Sequence, residues 1–277
     1  MIPLEHRRFA QTIKDEYAIP DPKNPPAQPA LTRELIREML DMLYEEQVRI
    51  FASGLGSPAD LIEEMHEHGM TVISLVGKPR HAVKSVQAGA DVIVAQGTDA
   101  AGHTGEIGTL SLVPQVVDAV RSVNPDVPVL AAGGIASGRQ VVAALGLGAA
   151  GVWTGTIWLP TVESGLDEIL KRKLVEAGAD QTVRSDKRSG YTARFLRSRY
   201  DEVWQRPDAP RHALPMPLQG LAYGDIDQAT ADYQMQEWMT VPASQSVGLI
   251  TAVRPTAEVF QTLAAEDRLV LAGTFGR

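Results

Sequence analysis

The 277-residue chain contains no cysteine, which excludes disulfides, thiolate metal sites and cysteine nucleophiles. The chain also has no excess of basic residues: its formal net charge is -8. Its most basic stretch, 171–199, is interrupted by Glu176, Asp180 and Asp186. Because phosphate-backbone binding needs a clustered basic face, nucleic-acid binding is not expected. No histidine and carboxylate spacing resembles a metal site, and no Gly-x-Ser-x-Gly motif is present.

A membrane span is not expected either. The stretch 141–159 carries no charge and is nearly long enough to cross a bilayer. Four glycines interrupt it, at Gly146, Gly148, Gly151 and Gly155, so a buried helix, a tight turn and a buried strand are predicted instead. The first residues are charged with no apolar run behind them, unlike a signal peptide. Together with the absence of cysteine, this favours a cytoplasmic protein.

Five short apolar runs alternate with helical segments, at 48–53, 71–75, 92–95, 127–132 and 151–154. Because they lack period-2 polarity, we predict parallel strands that are covered on both faces. Glycines able to end helices stand just before strands, at Gly69, Gly89 and Gly148. The loops after the strands are richer in polar residues. The pattern predicts an α/β fold of the β/α-barrel type, with a doubly wound sheet as the alternative.

The chain divides into three predicted regions. Residues 1–30 are polar and end in a proline-rich stretch, so they read as a loop or linker. Residues 31–160 hold the βα units, beginning with a helix at 31–46. Residues 161–277 read as an appended helical region that packs on the barrel, with helices near 226–239 and 256–266.

Polar or small residues follow three of the predicted strands. The first such segment starts at Gln96 and reaches His103 through a loop of small residues, which would let a flat or phosphorylated ligand approach the backbone. A histidine there can act as a base near neutral pH. An ordinary βα loop with a surface histidine remains an alternative.

The other two segments follow consecutive strands. Gly133 and Gly134 come after a buried strand and before a helix, where backbone N–H groups can bind an anion. Gly155 and Thr156 follow the next strand. Phosphate sites of barrels form in the loops after the last two strands, which these segments match. Tight packing of helix on strand remains the alternative.

These segments together resemble the nitronate monooxygenase family, formerly the 2-nitropropane dioxygenases, over about residues 30–264. The family loop Glu-Ala-Gly-Gly-His corresponds to Asp99-Ala100-Ala101-Gly102-His103 here. The resemblance implies an FMN cofactor and assigns its contacts. The phosphate would bind Gly133, Gly134, Gly155 and Thr156; the flavin ring would lie along Gln96, Ala101 and Gly102; and His103 would face the substrate. A lysine that some members carry at the end of the strand containing Leu75 is absent.

The activity implied by the resemblance is oxidation of an alkyl nitronate with O2 to a carbonyl compound and nitrite. With a neutral nitroalkane, His103 would first remove the α-proton. Three alternatives stay open: a flavin enoyl-ACP reductase of the same barrel type, an NAD(P)H:quinone reductase, and an inactive remnant or partner subunit of a split barrel.

The number of strands is the departure from the family pattern. The family barrel has eight strands, and the five runs found here resemble the fourth to the eighth. The first three βα units are therefore expected to be missing from this chain, through a truncated start or through a second chain that supplies them. A third alternative is that the region after residue 160 covers the open sheet. A homo-oligomer is also left open.

Overall fold

The computed structural model of the protein describes residues 2–24, 32–54, 56 and 58–273. Within these residues there are ten α-helices and eight β-strands. In chain order the helices are α1 (Leu4–Glu16), α2 (Arg33–Glu45), α3 (Ile62–Glu67), α4 (Pro79–Gln87), α5 (Thr109–Arg121), α6 (Gly138–Gly146), α7 (Glu168–Glu176), α8 (Arg199–Val203), α9 (Leu218–Asp232) and α10 (Thr256–Leu271). The strands are β1 (Ile50–Ser53), β2 (Thr71–Val76), β3 (Val92–Gln96), β4 (Gly102–His103), β5 (Val129–Ala132), β6 (Gly151–Trp153), β7 (Thr182–Ser185) and β8 (Ala193–Leu196).

The described residues form two compact units. The sheet unit takes its residues from 32–100, 104–155 and 256–273, and the hairpin unit from 2–24, 101–103 and 156–255. These limits differ from the predicted regions 1–30, 31–160 and 161–277. In particular, α10 belongs to the sheet unit, where it packs on α6, and not to an appended helical region.

The sheet unit contains a parallel sheet of five strands in the order β1-β2-β3-β5-β6. All four strand pairs are parallel, with registers such as Ile73↔Val92 and Ile93↔Val129. The five predicted parallel strands are therefore confirmed, each within two residues of its predicted bounds. In the described part of the chain, β1 and β6 are the outer strands of this sheet.

One face of the sheet is covered by amphipathic helices. Helix α5, to which the sequence analysis assigned no bounds, buries Leu112, Val116 and Val120 on one side at helical spacing. These side chains join a core cluster with Ile93 and Ala131 of the sheet. Proline at position 114 lies inside α5 and weakens its helical pattern in the sequence.

The uncharged stretch 141–159 has the predicted helix, turn and strand. Helix α6 ends at Gly146, Gly148 turns the chain with φ of 91°, and β6 begins at Gly151. Only a residue without a Cβ adopts this positive φ readily. No helix in the described part of the chain combines the length and apolar character needed to cross a membrane.

The hairpin unit begins with a helix where a loop or linker was expected. Residues 4–16 form α1, so the expectation of a loop is wrong for this part of 1–30. Residues 25–30, with three of the six prolines of this region, lie outside the described residues. His6, Phe9 and Ile13 share one face of α1 and are buried. Phe9 stacks edge-on against Trp204 at 5.4 Å. This narrow apolar face packs on residues almost 200 positions away, which a local polarity pattern does not reveal.

The region after residue 160 is not purely helical. Strands β7 and β8 form an antiparallel hairpin, with Val183↔Phe195 in register, and β4 pairs with β8. Arginines at 184 and 194 face each other in register within the hairpin, so its sequence does not resemble an apolar strand pair. Helix α9 starts directly after Pro217 and ends at Asp232, earlier at both ends than the predicted helix 226–239.

Candidate functional site

In the sheet unit, the predicted strand ends lie at one edge of the sheet. Gln96, the last residue of β3, is in register with Ala132, the last residue of β5, and Ala132 is in register with Trp153, the last residue of β6. Gly133 directly follows β5, and Gly155 lies two residues beyond β6. The three polar or glycine-bearing strand ends are thus neighbours, as the chain order predicted.

Gly133 and Gly134 have protein-internal reasons to be glycine. Their φ values are 109° and 74°, in the left-handed region that side chains disfavour. A Cβ at Gly133 would lie 2.7 Å from Thr109 Oγ1, and a Cβ at Gly134 would lie 3.0 Å from the Asp99 Cβ. The packing alternative left open by the sequence therefore accounts for both glycines, whether or not their N–H groups also bind an anion.

Neither the backbone conformation nor the packing of the protein requires glycine at position 155. The φ of Gly155 is outside the left-handed region, and a Cβ there would meet no described atom within 4 Å. Gly102, in the hairpin unit, needs its glycine for a φ of 67°, yet a Cβ there would also face space free of described atoms. Backbone bordering open space lets a flat or phosphorylated group approach closely. Both glycines therefore leave room for the flavin cofactor that the sequence implied, as do glycines outside the predicted site such as Gly146.

Protein side chains accept hydrogen bonds from backbone N–H groups at and just before the start of α6. The N–H of Gly138 donates to Glu266 Oε2 of α10 at 2.8 Å, and the N–H of Ala136 donates to Gln140 Oε1 at 2.9 Å. Gln140 Nε2 in turn donates to the carbonyl of Gly134 at 2.6 Å. The N–H groups of Ala136 and Gly138 therefore already have protein acceptors.

Thr156 lies in the hairpin unit and is buried. Its Oγ1 accepts a hydrogen bond from the N–H of Ser244 at 2.9 Å. That bond fixes the hydroxyl and leaves its hydrogen for donation to an acceptor such as a phosphate oxygen. The buried hydroxyl is thus suited to the anion-binding role that the resemblance implies.

His103 is held in the hairpin unit by β4. This strand pairs antiparallel with β8, with His103 opposite Ala193. His103 Nε2 lies 2.9 Å from Ser189 Oγ, and the His103 ring centroid lies 5.6 Å from that of Tyr191. Burial lowers the pKa of His103 below its ordinary value, because the interior disfavours the charged ring. The imidazole is therefore neutral at pH 7, the form that accepts a proton.

Ser189 and Tyr191 were missed by sequence reasoning. They lie 86 and 88 positions after His103 in a polar stretch that lacks periodicity, and only the pairing of β4 with β8 brings them to the histidine. Ala101 and Gly102 precede His103 and are half-buried in the same unit. Among the described residues, no group of three histidine or carboxylate side chains could hold a metal ion.

These features define a class of protein: a parallel α/β protein whose glycine-bearing strand ends suit a phosphorylated cofactor, with a neutral, partly buried histidine able to accept a proton. The chain belongs to the nitronate monooxygenase family, whose model matches residues 10–266. That family consists of flavin-binding oxidoreductases, so the protein is an oxidoreductase of a flavoprotein family.

Three relatives illustrate the similarity. A Mycobacterium tuberculosis protein named as a candidate monooxygenase is 41% identical and aligned over 96% of this chain and 73% of its own length. A Staphylococcus haemolyticus protein named as a candidate nitronate monooxygenase is 32% identical over 76% of this chain and 59% of its own. The structure of a nitroalkane oxidase from Streptomyces ansochromogenes has a TM-score of 0.82 and 27% identity, over 99% of this chain and 79% of the other.

Proposed function

We propose that the protein is an FMN-dependent oxidoreductase that converts alkyl nitronates and O2 to a carbonyl compound and nitrite. The observation that carries this proposal is the half-buried His103, whose Nε2 lies 2.9 Å from Ser189 Oγ, in a chain of the nitronate monooxygenase family. The likeness to a nitroalkane oxidase supports the same class of substrate.

The proposal assigns the FMN phosphate to Gly133, Gly134, Gly155 and Thr156. It assigns the flavin ring to Gln96, Ala101 and Gly102. When bound, FMN supplies the electron acceptor for substrate oxidation. The open space beside Gly102 and Gly155 supports these contacts, as does the shared sheet edge of Gln96, Gly133 and Gly155. The residues come from both units, and their assignment to one cofactor rests on the family resemblance.

His103 has one role for each form of substrate. A neutral nitroalkane must lose its α-proton: the C–H bond breaks, the proton passes to the imidazole, and the electron pair moves onto the nitro group to give the nitronate. The unprotonated imidazole is the form that accepts this proton, and burial, which lowers the pKa of His103, favours that form. A preformed nitronate needs no proton transfer, so there His103 only orients the anion.

The finer fold prediction belongs to the same proposal: an eight-stranded barrel whose first three βα units this chain lacks. Strand β1 lies at the outer edge of the described sheet, and its residue Ile50 is 60% exposed. An apolar strand edge of this kind favours pairing with a further strand. A soluble monomer that binds FMN stoichiometrically would contradict the need for additional strands, whereas a co-purifying chain with three βα units would support it.

The visible spectrum of the purified protein tests the cofactor, followed by heat release of the chromophore. We expect flavin absorbance and released FMN, with O2 consumption and nitrite formation on addition of an alkyl nitronate. A flavin-loaded protein that leaves nitronate untouched but oxidises NADH with an enoyl thioester or a quinone would overturn the nitronate assignment in favour of a reductase. A protein that stays colourless with added FMN would overturn the cofactor assignment for this chain.

A further inference from the structure

We propose that Ser189 is a positioning residue that holds His103 in the tautomer with its proton on Nε2, so that Nδ1 is the atom that accepts the substrate proton. This inference rests on the proposed role of His103 as a base. It goes beyond that role because it names the accepting atom and the residue that selects it.

The hydrogen bonds of the Ser189 hydroxyl set the direction of its contact with His103. Ser189 Oγ donates its one hydrogen to the carbonyl of Tyr191 at 2.9 Å. The same oxygen receives the N–H of Tyr191 at 3.3 Å and lies 2.9 Å from His103 Nε2. A hydroxyl offers one hydrogen and two lone pairs. Because the serine hydrogen is bonded to the Tyr191 carbonyl, the serine oxygen can form a hydrogen bond with His103 only as the acceptor. Nε2 must then carry the ring hydrogen.

A protonated Nδ1 would instead leave the Nε2 lone pair facing the Ser189 oxygen. The serine hydrogen would then have to leave the Tyr191 carbonyl to bond the ring, at the cost of one hydrogen bond. One such bond changes a population by about two- to tenfold. The Nε2–H tautomer is therefore favoured by about that factor, and its Nδ1 lone pair is available to accept a proton.

The loop that carries Ser189 is held from its N-terminal side by buried groups. The carbonyl of Lys187 accepts hydrogen bonds from the Tyr200 hydroxyl, at 2.9 Å, and from Gln219 Nε2. The guanidinium of Arg188 is an ion-pair partner of Asp227 at 2.6 Å. The guanidinium carbon of Arg188, Cζ, lies over the Tyr200 ring at 4.4 Å from the ring centroid. These contacts leave the residue before Ser189 little freedom to move.

The C-terminal side of the loop is held equally closely. Gly190 has a φ of 82°, and a Cβ there would overlap the backbone of Leu214 and Met216. Gln219 also accepts the N–H of Leu214 at 2.9 Å, so one buried side chain joins both backbone segments. Ser189 is thus presented to His103 from a fixed backbone, as a residue that selects a tautomer must be.

Three variants separate tautomer control from loop structure. Ser189→Ala removes the hydroxyl, and Ser189→Thr retains it. Ser185→Ala is the matched control, because Ser185 lies in the same hairpin and its Oγ accepts the N–H of Lys187 at 3.1 Å. Of these serines, Ser189 is the one in hydrogen-bond contact with His103 Nε2.

The test is heteronuclear NMR of the full-length protein as purified, labelled with ¹⁵N-histidine, at a pH where His103 is neutral. The chain has six histidines, and the spectrum of His103→Asn identifies the His103 signals. We expect a protonated Nε2 and an unprotonated Nδ1 in the wild type. In Ser189→Ala the ratio of the Nδ1–H to the Nε2–H tautomer should rise by about two- to tenfold, while Ser189→Thr and Ser185→Ala keep the wild-type pattern.

Turnover distinguishes this inference from the proposed function. Because the Nε2–H tautomer falls from about 67–91% of the molecules to about half, Ser189→Ala should lower nitroalkane turnover by a factor of about 1.3 to 1.8 and leave nitronate turnover near the wild-type value. A wild-type Nδ1–H tautomer, or identical tautomers in wild type and Ser189→Ala, would overturn the role of Ser189. If the tautomer shifts as expected but neither substrate is turned over by any variant, the proposed function fails while the positioning role stands.

Discussion

Replacing Gly155 by alanine separates the flavin assignment from the stability of the fold. A Cβ at this position would meet no described atom within 4 Å, and the backbone φ is outside the left-handed region. The folded state therefore accommodates the methyl group without strain. Because alanine restricts the unfolded chain more than glycine, the free energy of unfolding should rise by about 0.4–1 kcal/mol or stay unchanged.

The effect on the cofactor should be the opposite. If the space beside Gly155 is filled by FMN, the added methyl group overlaps the ligand at a cost comparable to overpacking, about 1–3 kcal/mol. Each 1.4 kcal/mol is about tenfold in affinity, so the dissociation constant of FMN should rise by about 5- to 150-fold.

The assay is titration of the flavin-free protein with FMN, followed by flavin fluorescence, alongside urea denaturation of the same samples. Gly146→Ala is the matched control: Gly146 lies at the end of α6 in the same unit, and a Cβ there also meets no described atom within 4 Å. The control should bind FMN as the wild type does. A folded Gly155→Ala protein with wild-type FMN affinity would refute the placement of the cofactor at Gly155.

Three further predictions concern the stability of the two units. Gly133→Ala should cost about 2–5 kcal/mol, from left-handed strain and the close approach to Thr109, and an unchanged urea midpoint would contradict this. Asp227→Asn should cost about 2–3 kcal/mol because the Arg188 side chain is only 7% exposed and loses its charged partner; a loss below about 0.5 kcal/mol in urea denaturation would exclude this. Burial lowers the pKa of His6 in the folded protein, so the unfolded chain binds a proton at this residue more readily than the folded protein does. The contribution of His6 to the free energy of unfolding should therefore be constant above about pH 6.5 and fall as the pH drops below it. His6→Phe should reduce this loss of stability at low pH. If urea denaturation gives the same dependence of stability on pH for the wild type and for His6→Phe, the titration of His6 is not its cause.

The sheet unit could be predicted from the sequence because its signals are local. Each strand is a short apolar run, and positive-φ glycines such as Gly69, Gly89 and Gly148 mark the turns before β2, β3 and β6. Gln96 and Gly133 were expected at the same sheet edge because parallel strands bring their carboxyl ends together. The neighbouring registers of β3, β5 and β6 bear this out.

The hairpin unit could not be predicted in the same way because its stabilising contacts are long-range. Helix α1 buries Phe9 against Trp204, and His6 Nδ1 lies 2.9 Å from the Tyr223 hydroxyl, 217 positions away. The contact of Ser189 with His103 depends on a two-residue strand pairing with an arginine-bearing hairpin. Neither apolar periodicity nor a motif indicates such pairings, so the chemistry beside the histidine appears only in the structure.

The most direct test of the central claim compares nitroalkane and nitronate turnover in the flavin-loaded wild type and in His103→Asn. A positioned general base contributes about 100- to 10,000-fold to a rate. The account predicts that His103→Asn loses at least about 100-fold on the nitroalkane, while nitronate turnover changes far less because the proton is already gone. Equal activity of the two proteins on the nitroalkane would contradict the role of His103 as the base.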